Sequence, residues 1–157
     1  MIAFIIYLIV AIVIGCFLGR KLRKIFIPDK FKADWYGFST NQLAHFTIGA
    51  FLVLLQMNIH LWITGEFFDR LCAFIVILVG YTCFEYCQKG KTSDIIEDIL
   101  FLVFFGAGSM LYVFKWFYGS YVCGYSNEFL PIFYAMALVL IYGIFRRVKY
   151  AKSIANI

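Results

Sequence analysis

The chain has 157 residues, of which 64% are hydrophobic, 21% aromatic and only 15% charged, with a net charge of +5 and a mean hydropathy of +0.87. Soluble domains are nearer half apolar and a quarter charged, and a domain this small has too little interior to hide the excess. A water-soluble fold is therefore excluded in favour of a single membrane domain, with no room for a soluble catalytic unit. The basic surplus is not a nucleic-acid footprint, and no sequence-specific nucleic-acid binding is expected. Lys and Arg clump at the ends of apolar runs, where they set orientation and meet anionic headgroups of the lipid bilayer.

Residues 2–19, IAFIIYLIVAIVIGCFLG, carry no charge and are long enough to cross a hydrocarbon core of about 30 Å. No charged side chain precedes Arg20, the reverse of a signal peptide's order, which predicts an uncleaved first span. Ala11, Gly15 and Gly19 recur every four residues and offer a flat face to another helix, within the chain or between copies in a homo-oligomer. The plainer reading is that membrane helices simply tolerate glycine. Residues 20–42 hold Arg20, Lys21, Arg23, Lys24, Lys30 and Lys32 among apolar residues at helical spacing. They read as a basic interfacial segment on the inner leaflet, or as an ordinary basic loop.

Four further spans are predicted at 43–63, 71–87, 95–114 and 129–145. The second is the most polar, with His45, Thr47, Gln56, Asn58 and His60, and the fourth draws Glu97 and Asp98 into its first turn. Lys89 and Lys91 lie between spans three and four, and Arg146, Arg147, Lys149 and Lys152 in the tail 146–157, whereas the two remaining loops hold only Arg70 and Lys115. Basic residues in short loops stay in the cytoplasm. The expectation is an all-α polytopic transmembrane helical bundle of about five spans, N-terminus outside and C-terminus inside.

In that arrangement span two begins, span three ends and span four begins at one face, so their polar residues share a depth. Asn41 and His45 are four apart; Glu85 and Gln88 are three apart; Asp94 lies three before Glu97 and four before Asp98. Polar residues near hydrocarbon face the bundle interior or a wet cavity, because lipid exposure costs several kcal/mol each. A polar site at the cytoplasmic leaflet follows. The plainer alternative is that Asp94, Glu97 and Asp98 complement a helix N-terminus and that His45 is a structural hydrogen-bond partner. Cys83 and Cys87 lie four apart near Glu85 and His45, but strong zinc signals bring two ligand pairs and this brings one. No metal and no cofactor are expected, and no phosphate loop or nucleophile motif is present. The loop 115–128, KWFYGSYVCGYSNE, places Tyr118, Tyr121 and Tyr125 at helical spacing on the outer side, either as a contact surface or as an aromatic belt.

The order Asn41-Gln-Leu-Ala-His45-Phe46 with Gly49, then Glu85-Tyr-Cys-Gln88, Lys89 or Lys91, Asp94, Asp98 and Gly106, resembles the VanZ-like membrane proteins over residues 41–109. It departs in carrying Lys where Arg is usual and in having no Asn before Gly106. The resemblance implies a small polytopic bacterial protein acting on a lipid or cell-envelope precursor. In overall character the chain also resembles the prophage-encoded superinfection-exclusion proteins, such as the exclusion protein A family of Salmonella phages. That likeness implies a non-enzymatic inner-membrane protein that blocks entry of phage DNA by contact, with a phage ejection component or a host inner-membrane protein as partner. Phage exclusion is the leading expectation, the VanZ-like role its alternative, and an ion or proton pathway through the polar residues a third.

Overall fold

The computed structural model describes residues 2–23, 35–66 and 68–113, together with positions 135, 137–143 and 145. These residues are helical or lie in short connections, with no strand among them. Helix α1 runs Ile2–Leu22, α2 Trp35–Thr64, α3 Arg70–Gln88 and α4 Thr92–Ile99. A π-helical stretch, Leu100–Ala107, continues α4 without a break, so that the fourth span is one helix from Thr92 to Val113. Four helices among the described residues are long and apolar enough to cross a membrane. The fold is thus an all-α polytopic bundle. Of the expected fifth span only the helical positions between 135 and 145 are described, and the loop 115–128 with Tyr118, Tyr121 and Tyr125, the segment 24–34 and the tail 146–157 lie outside the described residues.

Inside and outside in α1 are separated by size rather than polarity. Ile2, Ile5, Ile6, Ile9, Val13 and Phe17 point away from the protein, whereas Gly15 and Gly19 are buried. Large apolar side chains lose nothing by facing lipid tails, and association between helices then depends on close van der Waals approach. A Cβ on Gly15 would fall inside contact distance of the Gly80 carbonyl oxygen, and one on Gly19 would meet the carbonyl of Phe84. Ala11 lies against Gly80 in turn. The Ala11, Gly15 and Gly19 face therefore seats α1 on α3 within the chain, with residue numbers rising together along both helices, so the pair is parallel.

A second parallel pair uses the same device. A Cβ on Gly49 of α2 would overlap the backbone of Leu102, and one on Gly106 would overlap the carbonyl of Phe46. Between the pairs lies the core, with Val53, Leu54 and Met57 from α2, Ala73, Val76, Ile77 and Tyr81 from α3, and Leu102, Val103, Ala107 and Leu111 from the fourth span.

Helix α2 starts at Trp35, well before the apolar run predicted from position 43, so its first two turns carry polar residues up to the bundle end. Two of its polar side chains within the span are satisfied locally. Thr47 donates to the Leu43 carbonyl at 2.8 Å and Asn58 Nδ2 to that of Leu54 at 2.7 Å, the helix-compatible way to carry such side chains through hydrocarbon. His60 is buried beside Tyr7 and Phe68; its Nδ1 is 3.2 Å from the Tyr7 hydroxyl. Between α2 and α3, Gly65 takes a φ of 74°, a left-handed turn suited to glycine. Asp69 then caps α3 by accepting from the Cys72 backbone N–H at 2.9 Å. That hydrogen bond is the main reason its carboxyl sits below the ordinary carboxylate range. Helix α3 ends on Lys89 in the left-handed conformation, which turns the chain directly into α4.

Candidate polar site between three spans

The parallel pairing fixes which polar residues meet. α2 and α4 both begin, and α3 ends, at the bundle end that also carries Arg20, Lys21, Lys89 and Lys91. His45 of α2, Glu85 of α3 and Asp98 of α4 converge there, with one ligand-type atom from each lying within 4.8 Å of the others. Glu85 is the most enclosed, 4% exposed, and the His45 and Asp98 side chains are 15% and 14% exposed. His45 Nδ1 lies 3.6 Å from Asp98 Oδ1 and 2.9 Å from the backbone carbonyl oxygen of Asn41. A carbonyl only accepts, so the Asn41 bond places a proton on Nδ1 and leaves the lone pair on Nε2. The Tyr81 ring packs edge-on to the imidazole, 6.3 Å between centroids, and forms the apolar wall on the core side.

A second contact braces the trio. Gln42, three residues before His45, donates through Nε2 to Glu97 Oε1, next to Asp98 on α4. Asn41 and Gln42 are both buried while Ser39, Thr40 and Leu43 are exposed, so one face of the first turns of α2 is turned into the bundle. Phe38 meets Phe101 edge-on just beyond them. Gln88 and Asp94 are half-buried on the flanks of the same end, outside the trio.

Of the residues singled out by sequence, then, His45, Glu85 and Asp98 form one constellation, Asn41 and Glu97 support it through hydrogen bonds, and Gln88 and Asp94 border it. Gln42 and Tyr81 complete it and were not expected. Tyr81 lies four residues before Glu85 on the same helix face, a spacing that could have found it. Nothing in the sequence around Gln42 sets it apart from its polar neighbours. Another unexpected group is Gln56, which is buried at mid-span with neither amide atom hydrogen-bonded among the described residues. Among the described residues no cysteine belongs to the constellation. Cys83 and Cys87 are half-buried free thiols, and the donors that converge with Glu85 are an imidazole and a carboxylate instead.

Chemically the trio offers an imidazole and two carboxylates, a set suited to moving a proton or to holding a cation. With a neutral imidazole its formal charge is −2, and with an imidazolium −1. Arg20, Lys21, Lys89 and Lys91 stand at the same end of the bundle. Compared with known proteins, the chain matches no family model, no curated protein and no solved structure.

Proposed function

We propose that the chain is a multi-pass protein of the bacterial inner membrane, N-terminus outside and C-terminus inside. In this reading the trio His45, Glu85 and Asp98 works at the cytoplasmic leaflet on the polar head of a lipid or lipid-linked envelope precursor. The observation that carries it is the meeting of three ionisable side chains from three spans at the basic end of the bundle. Ionisable groups within a span are expensive and mark a working site before a structural one. A basic rim supports an anionic head group at the entrance, and the open faces of α1 and α2 let an acyl chain remain in the bilayer while its head reaches the site. In that reading His45 exchanges a proton with the head group, and Glu85 and Asp98 hold the imidazole's orientation and charge.

The test compares lipid and lipid-linked precursor profiles, by mass spectrometry, in cells producing the wild-type chain or its His45→Gln, Glu85→Gln and Asp98→Asn variants at equal membrane levels. A species whose abundance shifts at least about tenfold with the wild type and returns to baseline in all three variants is the expected result. An identical profile for wild type and variants contradicts it.

Action by contact in phage exclusion is the second reading. Its contact surface would be Tyr118, Tyr121 and Tyr125. In a plaque assay this reading requires protection that survives Glu85→Gln but not triple replacement of those tyrosines by alanine.

A further inference from the structure

We infer that His45, Glu85 and Asp98 form a binding site for one divalent transition-metal ion, of which Zn2+ and Mn2+ are the type. This departs from the metal-free expectation that the cysteine spacing suggests. The three donors come from three helices and lie within 4.8 Å of one another, so an ion between them reaches all three with little movement of the side chains.

Three further observations point the same way. First, the hydrogen bond from His45 Nδ1 to the Asn41 carbonyl ties one ring nitrogen to a backbone acceptor and leaves the lone pair on Nε2, as in metal-bound histidines; because it is Nδ1 that lies 3.6 Å from Asp98, the ring turns to bring Nε2 to an ion. Second, Gln42 is 3% exposed and its Oε1 accepts no hydrogen bond among the described residues, while its Nε2 is held by Glu97 beside Asp98. A buried acceptor without a donor calls for a water or an ion, and this one belongs to a side chain one helical turn before His45. Third, a dication is drawn to two carboxylates that stand within 4.8 Å of each other in a largely enclosed place, Glu85 4% and Asp98 14% exposed.

The donor chemistry selects the ion. One imidazole and two carboxylates suit the borderline divalent metals, whereas Ca2+ seeks six to eight oxygens and Mg2+ an octahedron of oxygens with several retained waters. Three protein ligands also leave coordination positions open, as in sites that bind a substrate oxygen. An anionic head group would find there a positive partner in place of two carboxylates.

The inference rests on the trio alone and needs no lipid substrate. Its test therefore uses the purified full chain in detergent, stripped with a chelator, desalted and equilibrated with Zn2+. Elemental analysis should give one ion per chain. Removing a group that only orients a metal ligand costs about 10- to 100-fold in affinity, so replacing a donor by Glu85→Gln or Asp98→Asn should weaken binding by at least about a hundredfold. A cysteine-free variant, with Cys16, Cys72, Cys83, Cys87 and Cys123 all changed to Ser, should bind as the wild type does. Because a donor variant can fail to fold, the wild-type chain loaded with Co2+ gives a separate readout, a visible spectrum of nitrogen and oxygen ligation without a thiolate charge-transfer band. Absence of saturable binding, affinity unchanged in both carboxylate variants, or a thiolate band would each overturn the inference. Metal binding beside an unaltered lipid profile leaves it standing and removes only the lipid reading.

Discussion

Gly15→Leu should prevent stable assembly of the bundle. The glycine presses α1 directly on α3, and a Cβ there would overlap the Gly80 carbonyl oxygen while lying 3.2 Å from its carbon and 3.4 Å from the Phe84 nitrogen. These are backbone atoms of a helix, so they cannot rotate aside as a side chain would. The helices must separate, and the van der Waals contact that holds them in lipid goes with them. Overpacking usually costs 1–3 kcal/mol; rigid backbone on both sides puts this case at about 3 kcal/mol or more. Gly49→Leu should behave alike, since its Cβ would lie 2.8 Å from the Leu102 carbonyl carbon and 2.9 Å from the Ala107 nitrogen. Ile9→Leu, on the lipid face of α1, should change stability by less than about 0.5 kcal/mol. Thermal unfolding in detergent measures all three. A Gly15→Leu chain that unfolds with the wild type would refute the helix pairing.

Glu85→Gln should stabilise the metal-free fold while weakening metal binding. Glu85 and Asp98 bring carboxylate oxygens within 4.8 Å of each other in a largely enclosed place, and two like charges at about that separation repel by about 3 kcal/mol at an effective dielectric near 20. His45 and the other groups around the two carboxylates offset most of that, which leaves a gain on the order of 1 kcal/mol for the neutral, nearly isosteric amide. Working sites commonly trade stability for function in this way. Glu85→Ala, which opens a void as well, should lie below Glu85→Gln in the same denaturation series. If both substitutions destabilise the protein by several kcal/mol, Glu85 is a structural hydrogen-bonding residue and the site has another centre.

The bundle was legible where hydropathy and helix length carry the same information. α1 and α3 run Ile2–Leu22 and Arg70–Gln88 around expected spans of 2–19 and 71–87, because Arg20 closes the apolar run of α1 and Arg70 and Gln88 bound that of α3. Helix α2 begins eight residues before its expected span because a helix can outrun the hydrocarbon, and Asn41 and Gln42 are then paid no attention by a hydropathy window. The π-helical stretch Leu100–Ala107 left no mark at all. Its residues are as apolar as an ordinary helix, and only the approach of Phe46 to Gly106 reveals a local reason for unusual winding.

The polar site was legible as a set of span ends, not as a geometry. Polarity near hydrocarbon singled out His45, Glu85 and Asp98, but equally Gln88 and Asp94, and spacing along one helix says nothing about which neighbours another helix supplies. That choice is made by the glycine contacts, which set the register of α2 against the fourth span and place Gln42 opposite Glu97 and His45 opposite Asp98. His60 shows the same limit, since its partner Tyr7 is 53 residues away and belongs to another span.

The convergence of three spans on one polar site is tested most directly by cross-linking. In a cysteine-free chain within intact membranes, Glu85→Cys is combined with Asp98→Cys, or His45→Cys with Glu85→Cys, and treated with a short bifunctional thiol reagent. Mass spectrometry should find the two positions of each pair joined within one chain at high yield, and Glu85→Cys paired with Glu66→Cys, near the opposite end of α3, joined at background level. Equal yields for all three pairs, or none for the first two, would contradict the site.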